Sequence, residues 1–240
     1  MRDGAETDSD LPMTSPRIVV FDLDGTLVDT APDLINALNF VLDREGVPAV
    51  PLHAARNMIG AGARKLIERG LEVDGRITSV EDINRMMGDF IDYYAAHIAD
   101  DSRPFEGLES ALDELTARGF RFAVCTNKLE WLSKLLLDRL ALCSRFSAIC
   151  GADTFGVAKP DPVILQQTVA RAGGQLSAAI MVGDAGPDIG VARRAGIPVI
   201  GVEFGYTDVP IADLKPDLLI GHMRDLPDAV ERLTASRQPI

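Results

Sequence analysis

The fold of this chain is decided by the stretch Arg17-Ile-Val-Val-Phe-Asp-Leu-Asp-Gly-Thr-Leu-Val-Asp-Thr30. It starts with a continuous β-branched and aromatic run, which is typical of a strand buried on both faces of a parallel sheet. Asp22 and Asp24 follow where this strand ends, and Gly25 allows the backbone to turn away. Ligands of open α/β sheets bind at this end of the strands. The stretch therefore predicts a central strand that carries a site.

Asp22 and Asp24 are two positions apart, so an extended backbone presents both carboxylates on the same side. Like charges this close resist joint ionisation unless a cation neutralises them. Mg²⁺ prefers oxygen ligands and takes one or two carboxylates together with substrate phosphate oxygens. The pair therefore predicts a divalent cation. The alternative is a polar turn that only ends the strand, because Asp, Gly and Thr are common turn residues.

The composition excludes several classes of protein. The formal net charge is −12 at pH 7 and the pI is about 4.7, so we expect no nucleic-acid partner, because such binding relies on Lys and Arg. No apolar run is long enough to cross a bilayer, so we expect no membrane partner. The three cysteines lack metal-ligand spacing and the chain starts with acidic residues, which predicts a cytoplasmic protein with reduced thiols.

Hydrophobic periodicity divides the chain. Residues 1–16 are acidic and predicted to be a mobile tail. Helical patterns fill residues 31–103, with Thr30 as the predicted N-cap of the first helix, and this insert is predicted to be an all-helical cap. Strand and helix patterns alternate from residue 104 to the end. Residues 17–30 and 104–240 are therefore predicted to form an α/β core, a doubly wound parallel sheet of Rossmann-like type.

Polar residues follow the later predicted strands, and each has a functional and a structural interpretation. Thr126 and Asn127 precede a helix N-terminus, which suits a phosphate group, although Thr126 alone is compatible with a helix cap. Lys159 has the charge to neutralise phosphoryl oxygens, although isolated lysines are usually solvated. Asp184 and Asp188 have the spacing to meet at a cation, or to stabilise a helix dipole.

Their occurrence at the ends of successive strands favours the functional interpretation. With these polar residues at its predicted strand ends, the sequence resembles the haloacid dehalogenase superfamily of phosphatases, from about residue 17 to the C-terminus. The matching motifs are Asp22-Leu23-Asp24-Gly25-Thr26, Thr126-Asn127, Lys159-Pro160, and Gly183-Asp184 with Asp188.

The resemblance implies a covalent mechanism in which Asp22 attacks phosphorus, while Asp24 protonates the leaving oxygen and then activates water. It also implies a Mg²⁺ site formed by Asp22, Asp184 and the backbone carbonyl of Asp24. One position departs from the family pattern, which often has Ser or Thr where this chain has Ala185. We expect this change to tune the site without removing it.

The same resemblance implies roles for the remaining polar residues. Thr126, Asn127 and Lys159 would hold the phosphoryl oxygens, and Asp188 would support the metal site or Lys159. Charge neutralisation and positioning account for most of the catalysis in phosphoryl transfer.

Within the superfamily, the similarity extends to phosphatases of 2-phosphoglycolate, on Phe21–Leu34, Cys125–Lys128 and the segment Gly201–Tyr206. The partner would be a small phosphorylated metabolite, and the protein a monomer or homodimer. In the cap, Gly60, Gly62 and Arg64 are candidates to contact a small anionic leaving group, although a helix start with a solvated arginine is equally compatible. The alternatives are another phosphate ester, a phosphomutase of the β-phosphoglucomutase kind, or a non-catalytic phosphate-binding module.

Overall fold

A computed structural model describes residues 16–60, 62–76, 78–207 and 209–236. The predicted tail, residues 1–16, lies outside the described residues except for Pro16. The described strands are β1 (Arg17–Phe21), β2 (Val28–Asp29), β3 (Arg103–Pro104), β4 (Phe120–Cys125), β5 (Ala148–Cys150), β6 (Ala179–Gly183), β7 (Val199–Val202) and β8 (Leu218–Ile220). Six of them form one parallel sheet in the order β5-β4-β1-β6-β7-β8.

The first strand is central, as its apolar run predicts. It pairs with β4 on one side and with β6 on the other, so that Val20 lies beside Ala123 and Met181. Val19 and Phe21 belong to the hydrophobic cluster on one face of the sheet, whereas Ile18 and Val20 belong to the cluster on the other. Both faces of β1 are therefore buried, and the strand order changes direction at this strand.

Helices cover both faces of the sheet, which confirms the predicted doubly wound α/β architecture. One cluster contains residues of α5, α6 and α9, and the other contains residues of α7 and α8. The helices are α1 (Ala31–Arg44), α2 (Leu52–Ala55), α3 (Ala63–Val73), α4 (Val80–Ala96), α5 (Leu108–Ala117), α6 (Glu130–Arg139), α7 (Pro162–Arg171), α8 (Gly186–Ala195) and α9 (Leu226–Ala235).

The segment between β2 and β3 is helical throughout its described elements. Helix α1 packs against α3 and α4, and Phe90 and Tyr94 of α4 are buried. The two short strands β2 and β3 pair antiparallel at its base, with Val28 opposite Pro104. The predicted boundary between residues 103 and 104 falls inside β3.

Thr30 occupies the predicted N-cap position of α1, but the prediction that its side chain caps the helix is wrong. Thr30 precedes α1, but its side chain makes no capping hydrogen bond, and its hydroxyl is buried without a hydrogen-bond partner. A capping side chain requires an extended backbone, and Thr30 has φ −98° and ψ −3°. The N–H of Ala31 instead donates to the Tyr206 hydroxyl at 3.0 Å.

Among the described helices, none combines the length and the apolar composition that crossing a membrane requires.

Candidate active site

Parallel strands bring the predicted acids to one edge of the sheet. Asp22 directly follows β1, and its N–H donates to the carbonyl of Val182 in β6 at 2.9 Å. Thr126 follows β4 and Asp184 follows β6, so they lie on the two sides of Asp22. All three side chains are buried. The carboxyl ends of the central strands therefore form one polar site inside an apolar core.

Lys159 joins two of the acids at this edge. It lies in the segment between β5 and α7, and its ammonium is 2.8 Å from Asp22 Oδ1 and 2.6 Å from Asp188 Oδ1. Burial opposes the charge of Lys159, but the carboxylates of Asp188 and Asp22 raise its pKa overall. Lys159 is therefore a fixed positive charge beside the Asp22 carboxylate.

Asp184 is held by contacts from two segments, the turn after β1 and the loop after β7. The Thr26 hydroxyl donates to its Oδ1 at 2.8 Å, and the backbone N–H of Tyr206 donates to its Oδ2 at 2.6 Å. Gly25 and Gly205 approach it so closely that a Cβ on either would lie 2.5 Å or less from an Asp184 atom. These positions therefore require glycine while Asp184 keeps its place.

The electrostatics of this edge fit a divalent cation. Burial raises the pKa of Asp22 to about 6, and the charge of Asp188 adds to this increase. Burial also raises the pKa of Asp184 well above its ordinary value. Oxygens of Asp22, Asp184 and Asp188 lie within 4.8 Å of one another. A hard cation with oxygen ligands would compensate these clustered charges, so the donor set suits Mg²⁺.

Asp188 lies in the first turn of α8 and has two kinds of partner. Besides its ion pair with Lys159, its Oδ2 accepts hydrogen bonds from the backbone N–H groups of Asp184 and Ala185, at 3.2 and 3.0 Å. The side chain of Ala185 contributes no hydroxyl to the cluster. The backbone of this turn is nevertheless fixed, because Asp188 binds its N–H groups directly.

Asp24 lies apart from the three clustered carboxylates. Its carboxylate faces Lys128, whose ammonium is 2.9 Å from Asp24 Oδ1 and 3.2 Å from Oδ2. The same ammonium donates to the hydroxyl of Tyr94 in α4 at 2.8 Å. The predicted contact of the Asp24 backbone carbonyl with a metal stays a prediction. Lys128 therefore links the side chain of Asp24 in the core to Tyr94 in the cap.

Thr126 and Asn127 mainly organise the loop before α6. The Thr126 hydroxyl accepts a hydrogen bond from the Lys128 N–H at 3.2 Å. Asn127 Oδ1 accepts from the backbone N–H of Lys159 at 2.8 Å, and its Nδ2 donates to the Lys159 carbonyl at 3.2 Å. Asn127 therefore holds the backbone of Lys159 at the site.

The cap candidates lie on the wall of a cavity next to this edge. The cavity has a volume of about 230 Å³ and is bordered by Asp22, Asp24, Gly60, Gly62 and Arg64. The ideal Cβ position of Gly60 is 3.9 Å from Ala185 Cβ, and that of Gly62 is 3.9 Å from the Asn127 carbonyl. The loop that carries these glycines therefore lies against the loops of the core.

Four residues that contact the site were given no role in the sequence analysis. They are Thr26, Tyr94, Lys128 and Tyr206. Thr26, Lys128 and Tyr206 stand in or beside the motif stretches, so their position along the chain gave a usable signal. Tyr94 is one of several aromatic residues in α4, and only the packing of the cap brings it to Lys128.

A parallel sheet with carboxylates and a buried lysine at its central strand ends, covered by a helical insert, defines the class of capped α/β hydrolases with a carboxylate site. The chain belongs to the haloacid dehalogenase-like hydrolases, whose sequence family matches residues 19–202. It is 46% identical over 218 residues to the phosphoglycolate phosphatase of Caulobacter vibrioides, covering 91% of this chain and 92% of that protein.

Other relatives agree with this assignment. The phosphoglycolate phosphatase of Mesorhizobium japonicum is 42% identical over 217 residues, which cover 90% of this chain and 96% of that protein. A crystal structure of a predicted phosphoglycolate phosphatase from Haemophilus somnus superposes with a TM-score of 0.82 at 27% identity, covering 90% of this chain and 99% of that one. The chain is therefore an enzyme, and its relatives and site make it a phosphatase.

Proposed function

We propose that this chain is a Mg²⁺-dependent phosphatase that hydrolyses 2-phosphoglycolate to glycolate and phosphate through an aspartyl-phosphate intermediate on Asp22. The observation that carries the proposal is the ion pair between Asp22 Oδ1 and Lys159 at 2.8 Å, buried at the carboxyl end of the central strand. A phosphoryl group brought to this carboxylate meets a positive charge that is already in place.

The first step in this proposal is attack by an Asp22 carboxylate oxygen on phosphorus. The bond between phosphorus and the leaving oxygen breaks, and that oxygen takes a proton from Asp24. Lys159 neutralises charge on the phosphoryl oxygens, while Asp188 and Asn127 keep Lys159 in place. Thr126 and Asn127, which directly follow β4, would contact the same oxygens.

In the second step, water attacks phosphorus and Asp24 accepts a proton from that water, which releases phosphate and restores the Asp22 carboxylate. Asp22 and Asp184 would hold Mg²⁺, with Asp188 beside them. The bound cation would neutralise the clustered carboxylates and polarise the phosphoryl group.

The relatives support the choice of substrate. Two relatives that are 46% and 42% identical over nearly their whole length are both named phosphoglycolate phosphatase. The partner in this proposal is therefore a small phosphorylated metabolite. We further propose that the protein acts in the cytoplasm as a monomer or homodimer.

Phosphate release from a panel of esters tests the proposal. The panel contains 2-phosphoglycolate and several sugar phosphates, each measured with and without Mg²⁺. We expect 2-phosphoglycolate to have the highest kcat/KM and chelation to abolish turnover. Faster phosphate release from the sugar phosphates would contradict 2-phosphoglycolate as the preferred substrate. Turnover without any divalent cation would contradict the proposed dependence on Mg²⁺.

Two Asp→Asn variants separate the nucleophile from a general charge effect. Asp22→Asn should lower kcat by a factor of about 10⁴ or more, because its amide cannot act as the nucleophile. Asp228→Asn is the matched control, because the Asp228 side chain is 88% exposed on α9. Equal activity of Asp22→Asn and Asp228→Asn would remove Asp22 from the mechanism.

A further inference from the structure

We propose that Lys128 selects the substrate by binding a carboxylate on the leaving alcohol, so that the preferred substrates are phosphomonoesters with a carboxylate on the carbon next to the ester oxygen. This inference rests on the proposed function and adds the residue that reads the leaving group. It replaces Arg64 as the candidate for that contact. Tyr94 acts through Lys128 as a positioning residue.

Lys128 presents a nearly buried ammonium at the wall of the cavity. Its side chain is 5% exposed, and it lies among the residues that border the cavity. An ammonium has three N–H donors. Asp24 Oδ1, Asp24 Oδ2 and the Tyr94 hydroxyl accept from it at 2.9, 3.2 and 2.8 Å. A carboxylate on a bound molecule would therefore compete for the longest of these contacts, the one to Asp24 Oδ2.

Tyr94 orients this ammonium without compensating its charge. Burial raises the pKa of Tyr94 well above its ordinary value, and the carboxylate of Asp24 adds to the increase. The phenol is therefore neutral when it accepts the hydrogen bond from Lys128. Because Tyr94 belongs to α4 and Lys128 to the core, the cap fixes the direction of the ammonium.

The remainder of the cavity wall gives an anion few other partners. Much of it is apolar, including Leu34, Ile59, Leu66, Phe90, Ile91 and Leu132. An anionic leaving group inside such a wall requires a cation, since a desolvated charge without a partner is costly. Electrostatic attraction is also stronger there than in water.

Among the described residues that border the cavity, Arg64 is also a cation, and its surroundings differ from those of Lys128. Its guanidinium donates to the side chain of Asn84, and this contact is exposed to solvent. Exposed charges interact weakly because water screens them. Lys128 is therefore the better-placed cation for selective binding of a carboxylate.

The spacing between the proposed proton donor and Lys128 sets the length of the leaving group. Asp24 must reach the leaving oxygen within hydrogen-bond distance, and Lys128 is 2.9 Å from Asp24. The leaving oxygen is then about 6 Å or less from the ammonium, which is two hydrogen bonds in series. A carboxylate on the adjacent carbon fits between them, and glycolate has that arrangement. Lys159 and Lys128 would then hold the two ends of the substrate.

Paired substrates test this inference. We would measure kcat and KM for 2-phosphoglycolate and for its uncharged amide, in the wild-type protein and in Lys128→Met. The wild type should prefer the acid by about 30-fold or more in kcat/KM, the usual effect of a buried charge pair. In Lys128→Met the two substrates should become equivalent within a few-fold, with the change mainly in the value for the acid.

Further variants exclude a general structural effect. Lys134→Met is the matched control, because Lys134 lies on α6 with its side chain 48% exposed, and it should keep the wild-type preference. Tyr94→Phe should reduce the preference by about 10-fold, since it loses one hydrogen bond to a charged group. Lys128→Arg should recover part of it, because the positive charge is kept. Circular dichroism would verify that each variant is folded.

Several results would overturn the inference. One is a wild-type enzyme that hydrolyses the acid and the amide equally, which needs no variant. Another is a preference that persists in Lys128→Met or collapses in Arg64→Met instead. These results differ from failure of the proposed function, in which the wild type would release no phosphate from any ester in the panel.

Discussion

Asp22 has two properties that rarely occur together. Its carboxylate is buried, with 6% exposure, and other carboxylates lie beside it. The ammonium of Lys159 compensates part of this charge. Burial therefore raises the pKa of Asp22 to about 6 from the ordinary 3.8. The clustered carboxylates keep a negative charge that favours binding of a cation.

This raised pKa predicts how pH and Mg²⁺ act on stability. Between pH 3.8 and about 6 the folded metal-free protein binds the Asp22 proton more tightly than the unfolded chain does. Its free energy of unfolding should therefore decrease as pH rises through this window, and the contribution should be constant above it. Mg²⁺ binds the carboxylate form, so protons compete with it at low pH.

Thermal unfolding with and without Mg²⁺ checks this prediction. At pH 7.5 and a Mg²⁺ concentration 100 times its Kd, the gain should be about 2.7 kcal/mol, or roughly 5–10 °C in Tm. The gain should shrink at pH 5 and be smaller in Asp22→Asn. An equal gain at both pH values would contradict a metal site built on Asp22.

The types of residue in the site and the support of Lys159 by Asp188 were predictable, whereas other contacts between the side chains were not. Asp22, Lys159 and Asp184 follow from their places at predicted strand ends, because parallel strands bring those ends together. The contact of Lys128 with Asp24 was not predictable, since it depends on the direction of a long flexible side chain. Nor did the sequence indicate that Asn127 uses its amide on the backbone of Lys159.

At the scale of the elements, two loops are tied to the site by close packing. The loop after β7 brings Gly205 against Asp184, so that a Cβ at position 205 would lie 2.2 Å from Asp184 Cβ. Tyr206, the next residue, reaches the base of the cap with its side chain. The same short segment therefore contacts a candidate metal ligand and the start of α1.

Replacing Gly205 tests the first of these contacts. Gly205→Ala should lower activity by about 10²-fold and reduce the free energy of unfolding by about 1–3 kcal/mol, because the new methyl group displaces Asp184. Steady-state kinetics at several Mg²⁺ concentrations and urea unfolding would measure both effects.

Gly88→Ala is the matched control for this variant. Gly88 lies inside α4 and a Cβ there has nothing within 4 Å. Alanine is the better helix former, so this change should raise the free energy of unfolding by about 0.5–1 kcal/mol. Similar losses in both variants would contradict the packing explanation.

Tyr206 tests the second contact. Its hydroxyl accepts from the Ala31 N–H at 3.0 Å and donates to Asp29, which also pairs with Arg56 at 2.7 Å. Tyr206→Phe leaves the Ala31 N–H without this partner, so the free energy of unfolding should fall by about 1–3 kcal/mol in urea titrations.

Tyr93→Phe is the comparison for Tyr206→Phe. Tyr93 stacks on Phe40 with ring centroids 4.2 Å apart, and removing its hydroxyl should change stability by no more than about 0.5 kcal/mol. If Tyr206→Phe proved as stable as Tyr93→Phe, the proposed tie between the loop after β7 and the cap would be wrong.

At the scale of the whole molecule, the order of the elements was largely predictable. The alternation of strands and helices predicted from residue 104 onwards is present in the structure, for example in the strand Phe120–Cys125 and the helix Glu130–Arg139 that follows it. The short strands β2 and β3 were not predicted, since two residues carry no periodicity. Their pairing joins positions far apart in the chain, and only the three-dimensional fold brings them together.

In the proposed function, the sheet carries the residues that react with the phosphoryl group, and the helical cap contributes to the choice of substrate. The sheet supplies Asp22 and its neighbours, whereas α4 and the loop before α3 close the cavity from the other side. The proposed nucleophile thus lies where residues from both parts meet. The central claim is that Asp22 becomes phosphorylated during turnover.

Trapping the intermediate tests this claim most directly. The enzyme would be mixed with 2-phosphoglycolate and Mg²⁺, quenched during turnover with sodium borohydride, which reduces an aspartyl phosphate to homoserine, and digested for mass spectrometry. The account predicts substrate-dependent homoserine at position 22, absent from Asp22→Asn. Reduction at another acid, or an unmodified Asp22 under conditions where rapid-quench kinetics show a burst of glycolate release, would contradict it.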